Sequence, residues 1–440
     1  MAGLEQDEDI FRALAWITHC AGDDPRESLL RTARALEHYH AHCGLKDGKW
    51  VRQEPLLLRA DLPGSWVAQA VAFLTKANSY DARLGSRILP MIKAIGLALP
   101  DLARVPGANE RVRRMMADRT RSPESAFFEL ATAGRYLREG LEVTFVPEGV
   151  ERTADLAVGI GPHQIHVECK RLQSSTYEKN EAAAVQALLV PWDRWLETEK
   201  VSLYVDMQFT TEVARVPPDY LVMHAMRATQ SRLMLPDGYP WKDEHGQGVV
   251  RHANLEAVAQ DTENSYLLVG PKLVRLLTGK RLDPAKCQMS LTARSHHDDD
   301  PRYVANVTMA SVVHWECLAA QSVEARARFI KSKLADIDRQ LTSAPVAIAH
   351  IAMDAERDSV TADLRRSLNK KAVMEYLAGS RLVEVELHYF LPRELEHATW
   401  TIDEMVDMFV AGDGKPLLSD PRLLPGEDIE QIAPWHIPNN

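Results

Sequence analysis

The run His166-Val167-Glu168-Cys169-Lys170 places an acid and a lysine two residues apart in a segment whose apolar and polar residues alternate. In a β-strand such positions share one face, so Ile165, Val167 and Cys169 are expected in the core and His166, Glu168 and Lys170 together on the other side. Asp155 opens the preceding strand-like run, and a hairpin through Gly159-Ile160-Gly161-Pro162 brings it beside Glu168. Glu129, on the flank of an earlier helical stripe, can supply a third carboxylate. Carboxylates brought together repel unless a cation lies between them, and hard oxygen donors select Mg²⁺ or Mn²⁺. An ion so held can polarise a phosphodiester and activate water, while Lys170 would orient or deprotonate that water or neutralise transition-state charge.

The elements that must position these residues follow from pattern and punctuation. Ser122 as N-cap and Pro123 at the first helical position open a helix running to about Glu139, with Phe127, Leu130, Ala131, Gly134 and Leu137 as its buried stripe and Gly140 as its stop. Strands are expected at 141–146, 154–160 and 164–170, a helix at 177–199 with Pro191 inside it, and a strand at 201–207. The order helix, three strands, helix, strand predicts a compact mixed α/β unit over 122–207.

Glu129 in Phe-Phe-Glu-Leu-Ala-Thr-Ala-Gly, Asp155 in Thr-Ala-Asp-Leu-Ala-Val, and Val-Glu-Cys-Lys at 167–170 resemble the helix Glu, the first Asp and the ExK of the PD-(D/E)xK, or restriction endonuclease-like, nuclease superfamily. The inferred αβββαβ order is similar to that superfamily's core. This resemblance implies a Mg²⁺-dependent phosphodiesterase acting on DNA or, less often, RNA. It assigns Asp155, Glu168 and the backbone carbonyl of Cys169 to the metal, Lys170 to the water and Glu129 to a supporting role. Ala154 stands where the motif's proline would be. Lys179 and Gln186 share a face of the 177–199 helix without the Gln-x-x-x-Tyr signature of one branch of the superfamily. Three acid-x-Lys triplets occur, about what chance gives, but those at Asp47 and Asp413 sit in glycine turns. The bland alternative for Glu168 and Lys170 is an exposed ion pair at a strand end.

Around this core, residues 1–120 read as an all-helical domain with segments at 7–20, 25–43, 64–78, 83–98 (ended by Pro100) and 109–118. The nuclease-like domain is expected over 121–400. It carries an insertion at about 210–320 and a sheet extension at 322–391, made of a helix at 322–341, a strand at 346–353, a helix at 359–378 and a strand at 381–391. In that last strand Val383, Val385, Leu387 and Tyr389 alternate with Glu384, Glu386 and His388, which reads as one apolar and one wet face. Residues 401–440 are expected to hold a C-terminal helix and an irregular tail. Arg111, Arg113, Arg114, Arg119 and Arg121 form a basic run that either contacts phosphates or solvates a helix end. His38, His40, His42 and Cys43 read as a polar helix face more readily than a zinc site, and Ser295 to Asp300 as a solvated loop. Trp192 and Trp195, at helical spacing, read as packing residues more readily than as base-stacking ones.

With 440 residues, 45% hydrophobic and 26% charged, the chain has the balance of a folded protein and excludes collagen-like and wholly disordered classes. Its 52 basic and 62 acidic side chains give a net charge of −10, so no general positive field attracts nucleic acid. The five cysteines contain no CxxC pair and suit a reducing cytoplasm. An acidic N-terminus and the lack of a long apolar run argue against a signal peptide or membrane span. The expectation is a cytoplasmic Mg²⁺-dependent DNA nuclease, an endonuclease of restriction or antiviral defence, or of DNA repair. An inert nuclease-like subunit that binds nucleic acid or a partner in a defence complex, and an RNA-directed toxin nuclease, are the alternatives. A partner subunit or activator and a homodimer are compatible with either class.

Overall fold

The computed structural model describes residues 7–22, 44–46, 49–51, 61–75, 82–147, 153–173, 175–230, 238–263, 267–282, 286–297, 300–341, 346–355, 360–394, 400–412 and 414–424. They begin with α1 (Glu8–Cys20), β1 (Gly44–Lys46), β2 (Lys49–Val51), α2 (Leu62–Thr75), α3 (Ala82–Leu102), α4 (Ala108–Ala117) and α5 (Glu124–Arg138). Next come β3 (Glu142–Phe145), β4 (Leu156–Ile160), β5 (His163–Arg171), α6 (Thr176–Glu199), β6 (Leu203–Phe209) and α7 (Tyr220–Gln230). β7 (Tyr239–Lys242), β8 (Gly246–His252), α8 (Leu255–Thr262), β9 (Leu267–Leu268), α9 (Pro271–Thr278), β10 (Cys287–His297) and β11 (Asp300–Cys317) follow. The chain continues through α10 (Ala320–Gln340), β12 (Ala347–Asp354), α11 (Val360–Leu377), β13 (Leu382–Glu394) and β14 (Trp400–Val410). The helix expected at 25–43, with His38, His40, His42 and Cys43, lies outside the described residues. No helix among the described residues is long and apolar enough to cross a membrane.

The architecture is mixed α/β with two six-stranded sheets. The first runs β14, β13, β12, β5, β4, β3, with β5, β12 and β13 parallel and the remaining pairs antiparallel. Phe127, Phe128, Leu130 and Ala131 of α5 share one core with Val167, Cys169, Ile348 and Ala352 on one face of this sheet. On the opposite face, Ile330, Leu334 and Ile337 of α10 and Val373 of α11 meet Ala349, Ile351, Val385 and Leu387. Strands covered on both faces have no wet side. The second sheet runs β10, β11, β6, β8, β7, with β9 on β11, between α6 and α7 on one face and α8 and α9 on the other.

Several expectations are corrected. The strand at 203–209 does not lie beside β5 but pairs with β8 and β11 in the second sheet, so the contiguous 122–207 unit does not share one sheet. The cause is local: after Lys200, in the left-handed conformation, β6 folds straight onto the apolar stripe of α6, where Val185, Leu188 and Trp192 meet Val205 and Phe209. Beside β5 instead is β12, reached through α10, and the inserted segment comprises α6 through β11. Residues 1–120 are not wholly helical, since β1 and β2 pair as a hairpin, and α1 to α4 bury their apolar faces in the core of the first sheet. Pro100 does not end its helix; α3 runs to Leu102. The segment expected as a C-terminal helix is β14, paired with β13 along its whole length. Around Ser295, β10 runs to His297 and β11 begins at Asp300. Trp192 is core, its indole N–H donating to Ser311 Oγ at 2.7 Å.

Close helix packing sets the N-terminal layer. A Cβ built on Gly96 of α3 would lie 2.0 Å from the carbonyl oxygen of Asp9 on α1, so backbone must move to admit any side chain. Gly96→Ala is expected to lower stability by about 1–3 kcal/mol despite its gain in helix propensity, because overpacking outweighs propensity. A urea midpoint at or above that of the parent chain would show that α1 and α3 separate at no cost.

Candidate active site

The β4–β5 hairpin forms as its turn residues require: Leu156 pairs with Val167 and Ile160 with His163, and Gly161 takes a φ of 55° in the turn. Asp155 is anchored by its own peptide, whose N–H donates to Val167 O at 3.1 Å and whose carbonyl accepts from Val146 N at 3.0 Å. Its carboxylate Oδ2 accepts from Cys169 N at 2.8 Å, which draws it to the Glu168–Cys169–Lys170 segment. Lys170 Nζ donates to Glu168 Oε1 and, at 3.3 Å, to Gln340 Oε1 at the end of α10. Gln340 Nε2 in turn donates to Thr153 O at 2.8 Å, closing the ring back toward Asp155.

Glu129 approaches from α5. Arg111 of α4 bridges the acids, with Nε 3.0 Å from Glu129 Oε2 and a terminal nitrogen 3.7 Å from Asp155 Oδ1. The alternation of β5 holds, but Glu168 is fully buried rather than projecting into solvent, because α10 covers that face. Lys170 is half-buried. Burial, then the charge of Asp155, pushes both Glu129 and Glu168 up to about 8, against the opposing pull of Arg111 and Lys170. Burial alone would lower Lys170, but the carboxylates of Glu168 and Asp155 hold it above the ordinary lysine range.

These raised acids have a stability consequence. Each carboxyl keeps its proton in the folded state above the 4.5 at which it ionises when unfolded, so the folded chain binds more protons through that window. Their contribution is fully present below about pH 4.5 and is lost as pH rises through about 8. In EDTA, the melting temperature is expected to fall across this range, and Glu129→Gln with Glu168→Gln to flatten the fall. An equal slope in that double variant would show that other groups carry it.

The donor chemistry suits a hard divalent ion. Oε2 of Glu168 is buried and accepts no hydrogen bond, whereas Oε2 of Glu129 is held by the Arg111 guanidinium, and all three acids offer oxygen. Their ligand oxygens do not all lie within 4.8 Å of one another. Among the described residues, one set of three His, Cys, Asp or Glu side chains has all its ligand atoms within 4.8 Å, and it is His350, Glu386 and His388.

The basic run behaves differently from a phosphate-binding stripe. Arg111 is turned inward to the acids, and Arg113 and Arg114 pair with Glu110, just upstream of the run. Arg119 and Arg121 are exposed, as are Lys179 and Gln186 on α6, and no contact among the described residues brings the latter two to the acids. Sequence reasoning gave no role to Gln340, whose position depends on a helix distant in the chain, or to the polar face of β13. Glu384, Glu386 and His388 are buried, not wet, facing Arg135, Tyr136 and Phe128 of α5. Burial pushes the imidazole of His350, beside them, down to about 3 and Glu384 up to about 7. In comparisons with known proteins, no family model matches the chain, and neither a curated protein nor a solved structure matches it.

Proposed function

We propose that the protein is a Mg²⁺-dependent nuclease that hydrolyses phosphodiester bonds of DNA, with a restriction endonuclease-like core. The reading is carried by one observation: Lys170, paired with Glu168, stands on the strand whose Cys169 N–H holds the carboxylate of Asp155. It is supported by the order α5, three antiparallel strands, α10 and β12 within one sheet, the order the resemblance implies once α6 through β11 is taken as an insertion. Asp155, Glu168 and the carbonyl of Cys169 would hold Mg²⁺ or Mn²⁺, with Glu129 assisting. The bound ion supplies Lewis-acid polarisation of the phosphate. Lys170, an ammonium held among carboxylates, orients the attacking water and offsets charge building on the phosphate oxygens. A place in restriction or antiviral defence, or in DNA repair, belongs to the same proposal and rests on the resemblance.

Arg111 favours a second reading. A guanidinium bridging Glu129 and Asp155 already offsets the charge a metal would neutralise, as an inert nuclease-like binding subunit would require. Incubating supercoiled plasmid, single-stranded DNA and RNA with the full chain in Mg²⁺, Mn²⁺ or EDTA separates the readings. Cleavage that EDTA, Asp155→Ala and Lys170→Ala each abolish supports the nuclease. Nucleic-acid binding that persists in all of them without cleavage supports the inert subunit, and cleavage of RNA alone would redirect the substrate.

A further inference from the structure

We propose that His350, Glu386 and His388 form a site for a borderline transition-metal ion, zinc in the first instance, separate from the Asp155, Glu168 and Lys170 cluster. The inference does not depend on the nuclease reading. β12 and β13 are parallel neighbours in which His350 lies opposite Glu386, and His388 stands two residues further along the same face. Nδ1 of His350 and Nε2 of His388 are 3.0 Å apart, and each lies close to Glu386 Oε2, at 3.6 and 3.5 Å. Ligand atoms around a tetrahedral zinc with bonds of about 2.0–2.1 Å stand about 3.3 Å from one another, close to this spacing.

The outer partners are those a metal site needs. Metal-bound imidazoles engage their second nitrogen with an acceptor that fixes the tautomer. Here His388 Nδ1 meets Glu404 Oε1 at 2.7 Å, and His350 Nε2 meets the Tyr136 hydroxyl at 2.8 Å. Glu404 is itself fixed, its Oε2 accepting from Leu423 N at 2.7 Å and Leu424 N at 2.8 Å. Arg135 donates to Glu386 Oε2 at 2.6 Å. All three ligands are buried, and buried charges persist only when paired or coordinated. Glu386 and Glu404 bring two carboxylates to the histidine pair while Arg135 pairs with Glu386, an anionic surrounding that suits a divalent cation. Two imidazoles exclude Mg²⁺ as the natural occupant and favour zinc-class ions. The competing arrangement is a metal-free chain in which Tyr136 donates to His350 and His350 to His388.

The test uses the full chain, stripped with EDTA, then titrated with Zn²⁺ or Co²⁺ in excess Mg²⁺. The expected result is about one zinc retained per chain and intense visible d–d bands on adding Co²⁺. His350→Gln with His388→Gln is expected to lose both signals, and Asp155→Asn to keep them. Glu404→Gln is expected to weaken zinc affinity by about 10–100-fold. A folded parent chain that takes up no zinc, or zinc and cobalt signals unchanged in the double histidine variant, would establish the hydrogen-bonded chain instead. Should the double variant not fold, Glu404→Gln decides, because an affinity equal to the parent's overturns the assignment.

Discussion

On the proposed nuclease reading, Lys170→Ala is expected to lower plasmid cleavage by about 10²–10⁴-fold, the loss that follows removal of a positioned proton-transfer or charge-stabilising group. The effect should fall on kcat and leave DNA binding nearly unchanged, because the ammonium is needed most where charge builds on the phosphate. Its rigid placement supports this size of effect: Nζ is held by Glu168 on the same strand and by Gln340 from α10. Asp155→Ala should lose comparable activity and also leave the Cys169 N–H without its carboxylate partner. Single-turnover cleavage with saturating DNA is the measurement. A Lys170→Ala chain that cleaves at the parent rate would end the assignment of Lys170, and of this cluster, to the reaction.

In EDTA, Arg135→Ala should produce the largest loss of stability, about 3–5 kcal/mol, because in the metal-free chain it strands Glu386 as an uncompensated buried charge. Both partners are buried, with side chains 2% and 1% exposed, so solvent screens the pair little. The same guanidinium donates through Nε to the carbonyl of Asp420 at 3.0 Å, and that bond to the C-terminal segment is lost too. Arg135→Met combined with Glu386→Gln removes both charges and should recover part of the loss, as the coupling of buried pairs requires. Urea unfolding followed by tryptophan fluorescence checks both. Equal stability of Arg135→Ala and the parent chain would mean that Glu386 is neutralised by another group.

The hairpin carrying Asp155, Glu168 and Lys170 was legible because its information is local. Glycines mark the turn, alternation sets the faces, and Gly140, with a φ of 77°, stops the preceding helix where expected. The partners that complete the site were not legible. Arg111 and Gln340 reach it from helices whose placement depends on tertiary packing, and nothing in the spacing of either residue marks it. Period-two alternation in β13 was correct as a pattern and misread as an environment. Glu384, Glu386 and His388 face away from the apolar residues, yet α5 covers them and ion pairs take the place of water. Assignment of β6 failed for a related reason. A strand following a helix says nothing about which of two sheets it joins, and that choice was made by the match between α6 and Val205 and Phe209.

The seam between β5 and β12, which pairs His166 with Ala347 through Arg171 with Ala352, has a consequence for biosynthesis. All of the second sheet is encoded between those two strands, so during translation β5 emerges long before its neighbour exists. Until then it presents an open row of N–H and C=O groups, a surface on which nascent chains can cross-pair. Closing so distant a pairing is intrinsically slow. Recovery from denaturant should therefore depend on protein concentration, with dilution or a chaperone raising the yield.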